Sequence, residues 1–313
     1  MASARAFGNT PWLRRIRADR APGAGARAFF VGASLTPVMV IFIAFSILPI
    51  IAVIAFSFFR YSFSYPDHTF RGLSYYRQLG ADPLFWNGLK RTAIFVAIAV
   101  PLNVLLSLPA ALGLQRVTRF KGTLRAFFFL PTVISTVAVS LLGIALYDPS
   151  TGLINQVMST LHLPIGHWLG DNNTAMPALA VLAVWQDMGY NVIIFLAGLQ
   201  AIPPDFYEAA RIDGAGPIST FRHITVPLLQ RTSSFTVILT VISYLQTFTY
   251  QQVMLAGGPD DSTRTISLYI YDIGIGTTSP LLSQAMAAAV VLLVVIMAVT
   301  LVQLRLSRVE WDY

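Results

Sequence analysis

The sequence contains no cysteine and few charged residues, and both shortages restrict what the chain can be. Without cysteine there is no disulfide framework, no thiol nucleophile and no thiolate metal site. Charged residues make up 11% of the 313 residues, whereas an ordinary soluble domain has about 25%. So few charges cannot cover a surface that faces only water, and 55% of the residues are hydrophobic. Lipid is therefore expected to be part of the solvent of this chain.

Motifs of enzymes and of nucleotide-binding proteins are also missing. The sequence has no Gly-x-x-x-x-Gly-Lys-Ser/Thr loop, so the chain should not bind ATP by that route. The histidines form no metal-binding pair such as His-Glu-x-x-His, and each is expected to be solvated or hydrogen-bonded. We find no Ser-His-Asp set and no pair of carboxylates. The sequence therefore predicts no catalytic residue, no metal site and no cofactor bound by this chain.

Long apolar runs make up most of what is present. A membrane-spanning helix needs about 20 apolar residues. Six segments reach that length: about 33–58, 92–114, 127–147, 176–200, 232–256 and 283–306. The first run is too long for a signal peptide, whose apolar core has roughly 7–15 residues, so we expect a retained helix. The predicted fold class is an all-α, polytopic membrane protein with six transmembrane helices.

The distribution of Lys and Arg predicts the orientation of these spans. Segments on one side carry most of the 21 basic residues, which places both termini in the cytoplasm. Residues 1–30 then form an Arg-rich cytoplasmic tail, in which Pro22, Gly23 and Gly25 argue against a continuous helix, and residues 31–313 form the transmembrane domain. The outer loop at 59–91 holds apolar residues at helical spacing over 72–88, which predicts an amphipathic helix at the interface with its basic residues towards lipid headgroups.

A polar block at 201–230 interrupts the apolar sequence between the fourth and fifth spans. Asp205 and Glu208 have the spacing of a capping box and predict a helix start. Gly214 suits the left-handed end of that helix, and Gly216-Pro217 suits the start of a second one. Two short helices would thus project from the membrane with apolar side chains on them. From these residues alone, contact with the chain's own bundle and contact with a soluble partner are equally open.

The same block has a recognisable spacing pattern. Its fixed points are Glu208-Ala209-Ala210, Gly214, Ile224 and Val226-Pro227. The pattern closely resembles the loop of inner-membrane permease subunits of binding-protein-dependent ABC importers, although Val226 replaces the usual Leu and Gln230 replaces a frequent Pro. Three outer motifs are similar to the carbohydrate-uptake branch, in the subunit type of the larger maltose permease and of the glycerol-3-phosphate permease. They are Gly72-Leu73-Ser74-Tyr75-Tyr76, Asp82-Pro83-Leu84-Phe85-Trp86 and Gly257-Gly258-Pro259.

The resemblance implies a type I importer permease in the bacterial cytoplasmic membrane. The polar block would dock on an ATP-hydrolysing subunit and transmit its closure to the gate. The implied coupling residues are Glu208, Ala209, Ala210, Asp213, Gly214, Ala215, Gly216 and Phe221. The implied partners are a second homologous permease, two ATP-binding subunits that hold ATP and Mg, an extracytoplasmic solute-binding protein and the bilayer. No nucleic-acid partner is expected.

Polar residues inside the fourth and fifth spans predict a solute path. A charge inside a span is costly unless it faces the bundle interior or a watery cavity, and Asp187 is such a charge. A sugar needs donors and acceptors for its hydroxyls and an aromatic platform for its ring, and this stretch supplies both. The predicted path residues are Gln186, Asp187, Tyr190, Asn191, Thr240, Ser243, Tyr244, Thr247 and Gln251. For any single Ser or Thr, interhelical hydrogen bonding is the stronger alternative.

The favoured function is import of a sugar by alternating access, driven by partner ATPases. Import of glycerol-3-phosphate, a glycerophosphodiester or a polyol is an alternative. The predicted path contains no Lys or Arg, which favours a neutral solute. A second alternative is a secondary transporter that uses Asp187 as its ion-coupling carboxylate. The energy source distinguishes these, because the importer requires ATP and the carrier requires an ion gradient.

Overall fold

The computed structural model describes residues 24–61, 69–117, 119–276 and 281–307. Within these ranges the chain is built from helices, joined by turns and by one isolated antiparallel bridge between Phe59 and Phe70. The all-α prediction is confirmed. Most of the predicted tail at 1–30 lies outside the described residues. The chain is helical from Ala24, so Gly25 does not prevent a helix, since a glycine costs a helix only about 1 kcal/mol.

The chain divides into two compact units, residues 1–55 and residues 56–313. The described part of the first unit is one helical run. It consists of α1 (Ala24–Phe42), a π-helical stretch (Ile43–Ile47) and α2 (Leu48–Phe56). The portion Val31–Phe56 is long and apolar enough to cross a membrane, as predicted for the first span.

Three helices of the second unit are also long enough to cross a membrane by themselves. They are α4 (Pro83–Arg116), α8 (Ala175–Ala201) and α15 (Leu282–Leu306). They correspond to the predicted second, fourth and sixth spans. α4 begins well before the predicted boundary at 92, because Asp82 accepts a hydrogen bond from the Leu84 N–H at 2.9 Å and Pro83 occupies the first helical position.

The predicted third and fifth spans are bent. α5 (Lys121–Val133) and α6 (Thr136–Leu146) meet at 93°. The helical segment Pro217–Leu228 meets α12 (Gln230–Leu245) at 66°. The segment comprises α10 (Pro217–Thr220), a π-helical stretch (Phe221–Thr225) and α11 (Val226–Leu228). When each bent pair is counted as one span, the described residues contain the six spans that were predicted.

The fifth span also ends earlier than predicted. α12 stops at Leu245, and a turn separates it from α13 (Thr249–Leu255). Thr247 lies in this turn, where its Oγ1 donates to Gln251 Oε1 at 3.3 Å and its carbonyl accepts from Thr265 Oγ1 at 3.1 Å. These side-chain bonds replace helical ones. Thr247 and Gln251 therefore lie beyond the helix that carries Thr240 and Tyr244, and the predicted fifth span is not one continuous helix to residue 256.

The helix predicted over 72–88 is divided into two. α3 (Ser74–Ala81) ends where Asp82 turns the chain into α4. Tyr269 of α14 (Ile266–Gly274) fixes this corner, because its hydroxyl donates to Asp82 Oδ2 at 2.6 Å. Burial raises the pKa of the Tyr269 hydroxyl above its usual value, and the bond to Asp82 adds to this, so Tyr269 remains a donor. The outer motifs around Asp82 and Thr265 thus pack against each other.

α8 is the central helix of the second unit and packs against α4, α5, α6, α12 and α13. Its residues Leu179, Phe195 and Leu199 are almost fully buried. Gly189 lets α5 approach closely, because a methyl group there would overlap the carbonyl oxygen of Phe128. Such close approach over small residues is how membrane helices gain packing contacts. The polar residues of α8 are therefore held at fixed positions relative to its neighbours.

Candidate functional site

A small cavity lies between α4, α8 and α12, next to the polar residues that interrupt the apolar sequences of these helices. Its volume is ≈150 Å³, and Thr132, near the end of α5, completes its wall. Eight of its nine lining residues have polar side chains, and Leu239 is the exception: Asn103, Thr132, Asp187, Tyr190, Asn191, Leu239, Thr240, Ser243 and Tyr244. Polar groups gathered at membrane depth usually mark a solute or ion pathway.

The structure brings six of the nine predicted path residues to this cavity. They are Asp187, Tyr190 and Asn191 of α8 and Thr240, Ser243 and Tyr244 of α12. The other three lie elsewhere. Gln186 is buried at the bend of the third span, and Thr247 and Gln251 lie beyond the end of α12. None of these three lines the cavity.

Three residues of the wall, Asn103, Thr132 and Leu239, were not predicted. Asn103 is fully buried in the apolar helix α4, and the rule that a polar residue inside a span needs a partner would have identified it. Thr132 reaches the wall only because the chain bends just after it. Leu239 carries no polar group, and the sequence offers no signal for it.

Buried hydrogen bonds join the three helices behind the cavity. Asn103 Nδ2 donates to the Tyr244 hydroxyl at 2.8 Å, and Asn103 Oδ1 accepts from Asn191 Nδ2 at 2.7 Å. Asn191 Nδ2 also lies 2.8 Å from Thr240 Oγ1, as a donor. One connected network of Asn103, Asn191, Thr240 and Tyr244 thus fixes the orientation of the Tyr244 hydroxyl at the cavity wall.

The electrostatic character of the cavity is simple. Among the residues that the structure describes, Asp187 is the one carboxylate of the wall, and no Lys or Arg lines it. The remaining polar groups are amides and hydroxyls, which can both donate and accept hydrogen bonds. An anionic solute would meet Asp187 without a compensating cation from this wall. The arrangement suits a neutral, polyhydroxylated molecule.

The cavity is open on one side. Tyr190 is 50% exposed, and Ser243 is exposed as well. Solute sites usually bury most of the solute's surface. A solute bound in this cavity would therefore need a further surface to cover it at Tyr190 and Ser243.

The polar block between α8 and α12 forms a helix, a tight turn and a second helix. α9 (Pro204–Ile212) is followed by Gly214, whose φ is +76°. The Gly214 N–H donates to the Arg211 carbonyl at 3.2 Å, and the Ala215 N–H donates to the Ala210 carbonyl at 2.9 Å. This bond pair is a Schellman motif, which favours glycine at the left-handed position. The predicted roles of Gly214 and of Gly216-Pro217 in the backbone are confirmed.

The predicted capping box is wrong. Pro203 is the N-cap of α9, with no side-chain cap, and Asp205 lies inside the first turn. Pro204 sets the start, because its fixed φ is suited to the first helical position. Asp205 still contributes there, since a negative charge is favourable near the N-terminus of a helix.

Apolar side chains project from this block. Ile212 is 87% exposed and Ile218 is 82% exposed, on either side of the Gly214 turn. Phe206 and Phe221 are exposed to about half that extent, at 40% and 36%. Of the predicted coupling residues, Ala210 is buried and Ala215 is half-buried, whereas the others are exposed: Glu208, Ala209, Asp213, Gly214, Gly216 and Phe221. Few residues of the block are therefore buried against the rest of the chain, and most of its surface is exposed.

The base of the block is anchored to the bundle. Ile202 and Leu229, which flank it, are buried in a cluster with Leu114 and Leu199. The Tyr207 hydroxyl lies 3.4 Å from Thr225 Oγ1 and connects its two helical arms. A groove of ≈760 Å³ runs between this block and the end of α4. A force on the exposed part would thus be carried to the ends of α8 and α12.

The outer loops are held by charged and polar side chains. Arg264 forms ion pairs with Asp261 and Asp272. Burial raises the pKa of Asp272, although Arg264 opposes that shift. In the loop before α7 (Leu153–Thr160), the Thr151 and Ser150 N–H and hydroxyl groups hold the pKa of Asp148 far below its usual value. These contacts fix the conformation of both loops.

Comparison with known proteins gives consistent results. The family model described as binding-protein-dependent transport system inner membrane component matches residues 103–308. The probable ABC transporter permease protein YurN of Bacillus subtilis is 34% identical over 278 residues, which cover 88% of this chain and 94% of that protein. The trehalose/maltose transport system permease protein MalF of Thermococcus litoralis is 32% identical over 284 residues, with 89% and 93% covered.

A solved structure shares the fold. A chain of a bacterial ABC transporter involved in the import of the acidic polysaccharide alginate superposes with a TM-score of 0.78 at 23% identity. The superposition covers 92% of this chain and 98% of that one. The residues matched by the family model include every lining residue of the cavity and the polar block between α8 and α12.

Proposed function

Because the chain belongs to the family of binding-protein-dependent transport system inner membrane components, we propose that it passes a neutral sugar along the cavity between α4, α8 and α12. It is a multi-pass subunit of the inner membrane, and its relatives are permease subunits of ABC transporters, several of them for sugars. Membership of this family decides against the ion-coupled secondary carrier.

One observation carries the proposal. α8 and α12 supply most of the cavity wall, and they are the two helices that the exposed polar block joins. A displacement of the block therefore changes the positions of Asp187 and Tyr244 directly through the backbone. Exposed Ile212 and Ile218 give a soluble partner an apolar contact at the point where that displacement would be applied.

The chemistry of the wall favours a neutral sugar over glycerol-3-phosphate. Asp187 accepts hydrogen bonds from solute hydroxyls, and Asn103 directs the Tyr244 hydroxyl. Exposed Tyr190 offers a ring on which the apolar face of a sugar stacks. A phosphate group would need a cation, which this wall does not provide.

The partners of the chain follow from what it leaves incomplete. A second, homologous permease closes the open side of the cavity at Tyr190 and Ser243. Two ATP-binding subunits hold ATP and Mg and contact the polar block, while the chain itself binds no nucleotide and catalyses no reaction. A solute-binding protein delivers the sugar to the outer loops.

Transport by the assembled complex in proteoliposomes tests this function. With ATP inside and the binding protein outside, a panel of neutral mono- and disaccharides should include a transported solute, and glycerol-3-phosphate should not be one. Asp187→Ala and Tyr244→Ala should lower the affinity for that solute, whereas Gly214→Trp should abolish uptake with the complex still assembled. Normal uptake by all three variants would refute the proposal.

A further inference from the structure

Gln186 was predicted to face the solute, but its side chain is buried among helices. Its exposed fraction is 3%, and it is absent from the cavity wall. Its Nε2 donates to the Ile134 carbonyl at 2.8 Å, and its Oε1 accepts from the Tyr250 hydroxyl at 2.6 Å. Its own carbonyl accepts from Thr132 Oγ1 at 2.9 Å. One residue of α8 thus bonds to α5, to the bend that follows α5 and to α13.

The bend of the third span explains why such a residue is needed. Ile134 lies between α5 and α6 with an extended backbone, at φ −73° and ψ 141°, so its carbonyl is outside the helical pattern. A backbone carbonyl without a partner is costly inside a membrane. The Gln186 amide supplies the missing donor, and the Thr132 hydroxyl, two residues earlier, donates a second bond to the Gln186 carbonyl. Together they hold the 93° bend against α8.

The bend also determines part of the cavity. Thr132 is the residue that α5 contributes to the wall, and Asp187 is the residue next to Gln186. Neighbouring side chains of a helix point about 100° apart, because a turn contains 3.6 residues. Asp187 therefore faces the cavity while Gln186 faces the bend. Any loosening of the bend changes the separation between Thr132 and Asp187.

We infer that Gln186 is a positioning residue, which holds the third span at its bend and thereby keeps one wall of the cavity in place, and that it is not a solute ligand. Its amide oxygen and one amide N–H are already used in contacts between helices. The inference rests on the proposed function for its effect on transport. Its effect on the geometry of the cavity does not depend on the identity of the solute.

A thiol reporter tests the geometry directly. The chain has no cysteine, so Ser243→Cys places a single thiol in this chain, at the cavity wall. In the complete transporter without solute, its rate of modification by N-ethylmaleimide is compared between native Gln186, Gln186→Leu and Gln186→Glu. An ionised glutamate keeps the acceptor for Tyr250 but cannot donate to Ile134, so the rates are compared across a range of pH that includes ionisation of this carboxyl, with the same range for native Gln186. Gln246→Leu, at an exposed glutamine after α12, is the matched control.

We expect Gln186→Glu, which loses one hydrogen bond between membrane helices, to raise the rate of modification by about 3–10-fold, and Gln186→Leu, which loses two, to raise it at least as much. Gln246→Leu should leave the rate unchanged. Tyr250→Phe removes only the bond to Gln186 Oε1 and provides a milder variant if Gln186→Leu fails to assemble. Unchanged modification in Gln186→Glu and in Tyr250→Phe would overturn the inference.

Uptake kinetics then separate the two roles of Gln186. If Gln186 is a positioning residue, its variants should have a lower maximal uptake rate as well as a higher modification rate. A higher KM alone, with native modification in the absence of solute, would identify Gln186 as a ligand and overturn the inference. The proposed function has a test of its own. If no transported sugar slows modification of Ser243→Cys with native Gln186, the proposed function is wrong. The comparison without solute still decides the role of Gln186.

Discussion

Gly189 and Gly214 show how differently the cavity region and the polar block are built. At Gly189 an added methyl group would meet the backbone of Phe128, whereas at Gly214 nothing lies within 4 Å. Gly214 is instead required by its φ of +76°, which other residues adopt at a cost. The first glycine serves packing between helices distant in sequence, and the second serves a local turn. The cavity therefore depends on the whole bundle, while the block depends mainly on its own residues.

The largest effect on stability is expected from Gly189→Ala. The Phe128 carbonyl belongs to a helix backbone and cannot move away as a flexible side chain could, and overpacking typically costs about 1–3 kcal/mol or more. The yield of assembled complex after detergent extraction and its thermal midpoint should both fall. Gly113→Ala in α4 is the control, since nothing lies within 4 Å of it and alanine favours a helix. Equal stability of the two variants would contradict the close packing of α5 on α8.

An intermediate effect is expected from Asn103→Leu. The change leaves Asn191 and Tyr244 each without one hydrogen-bond partner, and bonds between membrane helices contribute about 0.6 kcal/mol on average and up to about 1.7. The thermal midpoint should fall moderately, and solute affinity should fall because Tyr244 is no longer oriented. Ser140→Ala in α6 is the control, since it removes a buried hydroxyl that bonds to the Thr136 carbonyl of its own helix and keeps the bonds of Asn103 to Asn191 and Tyr244. A lower affinity in Ser140→Ala as well would show that the Asn103 network is not what orients the cavity.

The smallest effect on stability is expected from Gly214→Ala, although its effect on transport should be clear. A left-handed backbone costs a residue with a side chain roughly 1–2 kcal/mol, and the strain stays within the turn. Gly216→Ala is the matched control, because Gly216 has a φ of −71° and equally open surroundings. We expect native assembly in both variants and a lower ratio of solute transported to ATP hydrolysed only in Gly214→Ala. A native ratio in Gly214→Ala would show that coupling does not depend on the shape of this turn.

The same contrast explains what could be predicted from the sequence. The Gly214 turn and the helix start at Pro217 follow from local backbone preferences, so they were predicted correctly. The predicted start of α9 was wrong, because Pro204 begins the helix before Asp205 can act as its N-cap. The long spans were predicted from the lengths of their apolar runs, but the bends in the third and fifth spans were not predicted. Ile134 leaves the helix three residues after Pro131, and its carbonyl is satisfied by Gln186, which is distant in sequence.

The sequence predicted α8 and α12 and most of the lining residues of the cavity, but it did not predict the arrangement of these residues around the cavity. Asp187 and Tyr244 stood out because polar groups inside spans are costly. Asn103 is one amide in an apolar helix, and its partners are 88 and 141 positions away. Thr132 depends on the bend of the third span. Contacts of this kind arise from tertiary packing and leave no local pattern in the sequence.

The unbroken length of α4 has a mechanical consequence. Its 34 residues extend for about 51 Å, well beyond the roughly 30 Å of a hydrocarbon core. One end is clamped beneath α14, where Thr92 Oγ1 accepts from the Ile266 N–H at 2.9 Å, and the other borders the groove beside the polar block. Pro101 and Pro109 each remove a helical hydrogen bond on either side of Asn103. α4 is thus a lever whose weakened stretch coincides with the cavity, so we expect a force applied at the end beside the polar block to change the shape of the cavity.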